Sequence, residues 1–151
     1  MLIKHGIEEE DGELYYYVNG DKFYAGLIRI GEDYYYANSS CKIVTGKYYI
    51  SKTNGLLPNG EYEFGPDGKM KNGLVEENGA IYYYVNGIKT YAGLIQIGDD
   101  YYYVNGSYKA VTGKYYVTKH NGLLPAGDYE FGADGKMKNG LVEENGAIYY
   151  Y

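Results

Sequence analysis

Short aromatic and β-branched runs of four to six residues alternate along this chain with polar Asn-Gly and Asp-Gly pairs. The runs are strand-length, and no stretch carries apolar residues at helical spacing over a helical length. Asn19-Gly20, Asp67-Gly68, Asn86-Gly87 and Asp134-Gly135 read as hairpin turns. Both central residues of a type I′ turn need positive φ, which these pairs tolerate best. The pattern therefore predicts β-hairpins throughout. One hairpin alone is marginal in water. A row of hairpins, each stacking its aromatics on the next, buries a continuous core. The expected fold class is all-β, an elongated solenoid of stacked β-hairpins.

Internal repetition sharpens this. A shift of 67 residues carries "VTGKYY" at 44–49 onto 111–116 and "NGLLP" at 54–58 onto 121–125. It also carries "DGKMKNGLVEENGAIYYY" at 67–84 onto 134–151, with no gap. The chain divides into a partial repeat (1–17), repeat 1 (18–84) and repeat 2 (85–151), as a single repeat domain. Aromatic runs at Tyr82, Tyr101, Tyr129 and Tyr149 cut each large repeat into units of about 20 residues, one of them longer.

The tyrosine runs carry a parity argument. "YYY" at Tyr82–Tyr84 aligns with "YEF" at Tyr62–Phe64 and Tyr129–Phe131. The middle position becomes Glu, and an unpaired buried Glu is costly. Strand side chains alternate faces. The first and third tyrosines of each run are thus expected to point inward. The middle ones, Tyr16, Tyr35, Tyr83 and Tyr102, are expected on an outer face with Glu63 and Glu130. Leu14, Ile81 and Ile148 share that parity, so the outer face is not uniformly polar.

Composition changes the picture in two ways. With 24 Tyr, 23 Gly and no Trp among 151 residues, the aliphatic stock is short for one large compact core. That favours an architecture in which each unit buries only its neighbours. The net charge of -6 removes the basic footprint nucleic acid requires. No apolar run is long enough to span a bilayer, so membrane insertion is not expected. Cys41 is the only cysteine, which excludes a disulfide framework or a Cys-pair metal site.

"GLVEENGAIYYYVNG" and "DYEFGADGKMKNG" resemble the bacterial cell-wall-binding repeat family, which includes choline-binding modules and glucan-binding repeats. The mix of short and longer units, with "YKAVTGKYY" at 108–116, is most similar to the repetitive C-terminal regions of clostridial toxins. The resemblance implies a surface repeat that binds glycan or cell-wall polymer. The start of the chain has no signal-peptide pattern, so either the protein stays in the cytoplasm or this is an internal segment of a larger secreted protein; the resemblance implies the second, with an extracellular or cell-surface location. A choline site in this family is a cage of Trp and Tyr acting by cation–π attraction. Here the positions that would supply it are aliphatic or acidic, so choline is not the expected ligand.

The outward tyrosines are the candidate glycan-stacking residues: Tyr16, Tyr35, Tyr83 and Tyr102. The bland alternative is that tyrosine simply suits a half-buried pleated surface. Carboxylates at Glu8–Glu10, Glu76-Glu77 and Glu143-Glu144 read as solvated edge charges that discourage aggregation. No Ser, His and Asp arrangement suggests a nucleophile. His5 and His120 do not recur between the copies. The expectation is a non-enzymatic module with no cofactor or metal, or else a stalk without a ligand. Two near-identical copies suit avidity for a polymer. End-to-end self-association through the apolar Tyr149–Tyr151 edge is a further expectation.

Overall fold

The structure is a computed structural model and describes residues 3–151. It is built of strands and turns, with no helix among the described residues. Two compact units are present. One comprises residues up to Asn72 with Asn86–Ile88, the other Gly73–Val85 with Lys89–Tyr151.

The first unit contains three hairpins. They are β1 (Gly6–Glu10) with β2 (Glu13–Val18), β4 (Gly26–Ile30) with β5 (Asp33–Ala37), and β6 (Gly46–Ile50) with β7 (Gly60–Phe64). A two-residue strand, β3 (Asp21–Lys22), adds to the first. The second unit repeats the series with β8 (Gly73–Glu77) and β9 (Ala80–Val85), β11 (Gly93–Ile97) and β12 (Asp100–Val104), and β13 (Gly113–Val117) and β14 (Gly127–Phe131). The short β10 (Ile88–Lys89) joins β9, and a last hairpin pairs β15 (Leu141–Glu144) with β16 (Ala147–Tyr150).

The hairpins come in two registers. In β1–β2 the turn is Asp11-Gly12, both with positive φ, as in type I′. In β4–β5 the turn is Gly31-Glu32 with only the glycine positive, as in type II′. The tyrosine run begins at the third residue after the first turn but at the second after the other. Tyr16 therefore faces Ile7 across β1–β2, while Tyr36 faces Leu27 across β4–β5. A one-residue slip moves every side chain to the other face. Asn19-Gly20 and Asn86-Gly87 have both φ values positive, as expected. Asp67-Gly68 departs from the expectation: only Gly68 is positive, and its N–H donates to the Gly65 carbonyl in a four-residue turn. Asp134-Gly135 repeats that turn.

Stacking buries both faces of the inner hairpins. In the first unit, Leu27 and Tyr36 pack with Ile50, Tyr62, Phe64 and Met70 on one side of β4–β5. On the other side Ala25, Ala37 and Ile43 pack against Ile7, Leu14, Tyr16 and Tyr35. In the second unit Leu94, Tyr103, Val111, Val117 and Phe131 form the cluster equivalent to the first of these. Backbone bonds stitch the hairpins together. The N–H of Leu27 donates to the Lys52 carbonyl, and that of Met70 to the Tyr34 carbonyl. Asn54 holds the same junction, its Nδ2 donating to the carbonyls of Ala25 and Leu27 at 2.7 and 2.9 Å. Asn121 repeats this with Ala92 and Leu94.

The inside-outside parity is corrected accordingly. The third tyrosines Tyr17, Tyr36, Tyr84 and Tyr103 are buried, as expected, but the first ones, Tyr15, Tyr34, Tyr82 and Tyr101, are only half-buried, and in the last hairpin Tyr149 and Tyr151 are 51% and 36% exposed. The four middle tyrosines expected outside are not on a solvent face. Tyr16, Tyr35 and Tyr83 are half-buried, and Tyr102 is buried at 8% exposure. The reason is geometric: a hairpin stacked on both sides has two interfaces and no free face.

Candidate functional site

The candidate stacking residues lie between hairpins. Tyr16 and Tyr35 approach the same small cluster from opposite hairpins. Tyr102 lies against Gly135, where an added Cβ would be 3.4 Å from its ring. Tyr16, Tyr35 and Tyr83 are half-buried, and Tyr102, at 8% exposure, offers no stacking face.

An open cleft of about 310 Å³ instead occurs in the second unit, on the other face of the tyrosine runs. Asp99 comes from the β11–β12 turn, Asp100 and Tyr101 from β12 and Tyr129 from β14. Met137 and Tyr151 close it, with Lys138 and Asn139 at the rim. Each wall residue has a reason to be there. Pairing across β13–β14 sets Tyr129 opposite Tyr115, and its hydroxyl donates to the Pro125 carbonyl at 2.8 Å. The N–H of Met137 donates to the Tyr101 carbonyl, which brings Met137 into the cleft lining. The Tyr151 hydroxyl donates to Glu144, which also pairs with Lys138. The Lys138 ammonium and the Tyr151 hydroxyl hold the Glu144 carboxyl below its ordinary value. Asp100 pairs with Lys136 at 3.6 Å.

Flat tyrosine faces next to carboxylate, amide and ammonium groups suit a ligand with apolar faces and polar edges. The tyrosine faces are also shared with the protein's own cations. Lys138 lies 5.4 Å from the Tyr151 ring centroid, Lys119 4.2 Å from Tyr91 and Lys52 4.2 Å from Tyr24. Burial pushes the Tyr36 hydroxyl up, but hydrogen bonds from the Tyr24 hydroxyl and the Lys52 N–H leave it below its ordinary value. Among the described residues, no group of three or more His, Cys, Asp or Glu is placed to hold a metal. No helix there is long and apolar enough to cross a membrane.

The sequence reading missed this cleft. "DDYYY" at Asp99–Tyr103, with paired acids ahead of the aromatics, was the available signal. Asp134-Gly135 reads from the sequence only as a turn.

No protein-family model matches the chain, and no curated protein matches it. Solved structures do. CbpJ from Streptococcus pneumoniae TIGR4 is 24% identical, with a TM-score of 0.54 over 97% of this chain and 50% of its own. Choline binding protein F from Streptococcus pneumoniae, solved in the presence of a peptidoglycan analogue, is 28% identical. Its TM-score is 0.52 over 97% of this chain and 49% of its own. The chain resembles the choline-binding-type cell-wall repeats. It spans about half the length of each of these relatives. The hairpins, the Asn-Gly turns and the aromatic interfaces described above are what this chain has to set beside those repeats.

Proposed function

We propose that the chain is a non-enzymatic, extracellular or cell-surface repeat module that binds glycan or cell-wall polymer weakly and at more than one point. The observation that carries the reading is the cleft at Tyr101, Tyr129 and Tyr151 with its rim of Asp99, Lys138 and Asn139. Sugar rings present C–H faces to aromatic rings and hydroxyls to polar groups, and this lining offers both. The likeness to choline binding protein F, solved with a tetrasaccharide-pentapeptide peptidoglycan analogue, supports the same polymer class. Weak sites in repeated units gain from avidity on a polymer. Choline itself is disfavoured, because the chain has no Trp and its own Lys138 already sits over Tyr151.

Retention of the folded chain on purified cell walls and on a glycan array tests this. Tyr129→Ala and Asp99→Ala each weaken retention by about tenfold, the scale of one lost aromatic or polar contact at a small site. Choline at millimolar concentration leaves retention unchanged. Failure to bind any wall or glycan would favour a stalk, and elution by choline would favour the cation reading.

A further inference from the structure

A cleft of about 410 Å³ in the first unit takes no part in the site described above. All of its lining belongs to that unit, and none of it to the last hairpin. Its volume falls in the range of small-molecule sites. Glu13 and Leu14 reach it from the start of β2, Asn38 and Lys42 from the connection after β5, and Tyr48 from β6.

The lining is of mixed chemistry. Leu14, Ile43 and Val44 form an aliphatic side. The Tyr48 ring lies 5.7 Å from that of Tyr36 and is tilted 39° to it, which fixes an aromatic side. The rest is polar. Glu13 and Lys42 form an ion pair at 2.6 Å, with both side chains partly open to solvent. The Asn38 Oδ1 accepts from the N–H groups of Ser40 and Lys42 at 2.9 and 3.1 Å. Its amide nitrogen is then the donor left for the cleft.

The second unit shows what is particular to this cleft. A shift of 67 residues keeps its frame. Asn105 accepts from Ser107 and Lys109 as Asn38 does from its neighbours, and Tyr115 lies 5.0 Å from Tyr103. Glu13, however, becomes Ala80, and Ile43 becomes Ala110. Lys109 meets no carboxylate at the Ala80 position, and its ammonium lies 5.7 Å from the Tyr82 ring centroid. Only the first unit combines the carboxylate, the amide and the larger aliphatic side.

We infer that this cleft is a second glycan site, selective for a sugar ring that carries an acetamido group. The inference rests on the glycan reading above and adds which sugar is preferred. An acetamido group has an N–H donor, a carbonyl acceptor and a methyl. Glu13 accepts from the N–H, the Asn38 amide donates to the carbonyl, and the aliphatic side takes the methyl. Tyr48 meets the C–H face of the ring. A hydroxyl in place of the acetamido group leaves the Asn38 amide without its partner. A polar site rejects an analogue that leaves its groups unpaired.

The probes are chitotriose and cellotriose, which differ in carrying an acetamido group or a hydroxyl at C2. Each is titrated into the full chain, and the amide shifts are followed by nuclear magnetic resonance. Chitotriose is expected to shift Glu13, Leu14, Ile43 and Val44 along one binding curve, with an affinity about tenfold above that of cellotriose. Glu13→Ala weakens chitotriose binding about tenfold, the scale of one hydrogen bond to a charged group. The Glu13 side chain is exposed, so the fold does not depend on it. Ile81 and Ala110, the counterparts in the second unit, stay unshifted over the same range. Equal affinity for the two sugars, equal response of both units, or unchanged affinity in Glu13→Ala would each overturn the inference. So would millimolar choline shifting the same amides, or no shift there with either sugar. Shifts confined to Tyr101, Tyr129 and Tyr151 would overturn it and leave the reading of that other cleft standing. Shifts at Glu13 and Leu14, with full cell-wall retention of Tyr129→Ala, would support it and count against that reading.

Discussion

At the scale of single residues, Glu10 shows how a tyrosine-rich hairpin is tied at its turn end. Its carboxylate accepts hydrogen bonds from the Tyr17 hydroxyl at 2.8 Å, from Lys22 at 2.9 Å and from Lys4 at 3.4 Å. Lys22 first, then Tyr17 and Lys4, bring its pKa down from 4.5 to about 2, against a smaller opposing effect of burial. The same constellation recurs 134 residues on, where Lys138 and Tyr151 lower Glu144. His5 serves the opposite end of the same hairpin. Its Nδ1 accepts from the Asn19 N–H at 3.3 Å, as the Asn72 Oδ1 accepts from Asn86. A residue that seemed unrelated to the repeat thus keeps the repeat's hydrogen bond. The folded pKa of Glu10 is depressed, so its contribution to stability is present above pH 4.5 and is lost as pH falls toward 2. Carbon-detected titration of the Glu10 carboxyl is expected to give a midpoint near 2. Tyr17→Phe removes one donor and moves that midpoint upward. A wild-type midpoint at the ordinary carboxylate value would show that the three partners do not act together in solution.

At the scale of elements, the stack depends on how closely one hairpin's backbone approaches the next. Gly26 and Gly46 each open a strand, with φ of 71° and 72°. At Gly46 nothing lies within 4 Å of an added Cβ, whereas at Gly26 that atom would be 2.4 Å from the Lys52 carbonyl oxygen. Gly46→Ala should therefore cost only the left-handed backbone, about 1–2 kcal/mol. Gly26→Ala adds overpacking of about 1–3 kcal/mol against a backbone atom that cannot swing away. Urea denaturation of the two variants checks this, and equal losses would mean that the junction yields easily. The Asn-Gly pairs and the 67-residue shift made the strands and their repetition legible in the sequence. The faces were not legible, because aligning hairpins on their tyrosine runs hides the different turns. Asp11-Gly12 and Gly31-Glu32 start the run one residue apart, and that reverses which tyrosine meets which neighbour. The cleft was not legible either: parity places Tyr101 and Tyr129 against the core, where they do pack, and gives no sign that they also line an opening.

At the scale of the whole molecule, the two copies act as a natural experiment in packing. Between 18–84 and 85–151, 14 of 67 positions differ. Two of the changes lie at the same contact. Ala37 bridges Ile43 in one unit, and Val104 bridges Ala110 in the other. All four are buried, at 0%, 7%, 0% and 8% exposure. One copy is small then large, the other larger then small, so all but one methylene of the volume is exchanged across the bridge rather than lost. Close packing makes such exchanges coupled, since neither change alone leaves the interior filled without strain. Ile43→Ala alone should open a cavity beside Tyr35 and cost about 2–4 kcal/mol. Ala37→Val alone should overpack and cost about 1–3 kcal/mol. Made together, they recreate the second unit's pair in the first, and the double variant should be more stable than the sum of the single losses by over about 0.5 kcal/mol. A double-mutant cycle by chemical denaturation measures that difference. Strict additivity would mean that the hairpins relax independently around each site, and that the paired substitutions in the two copies arose without regard to one another.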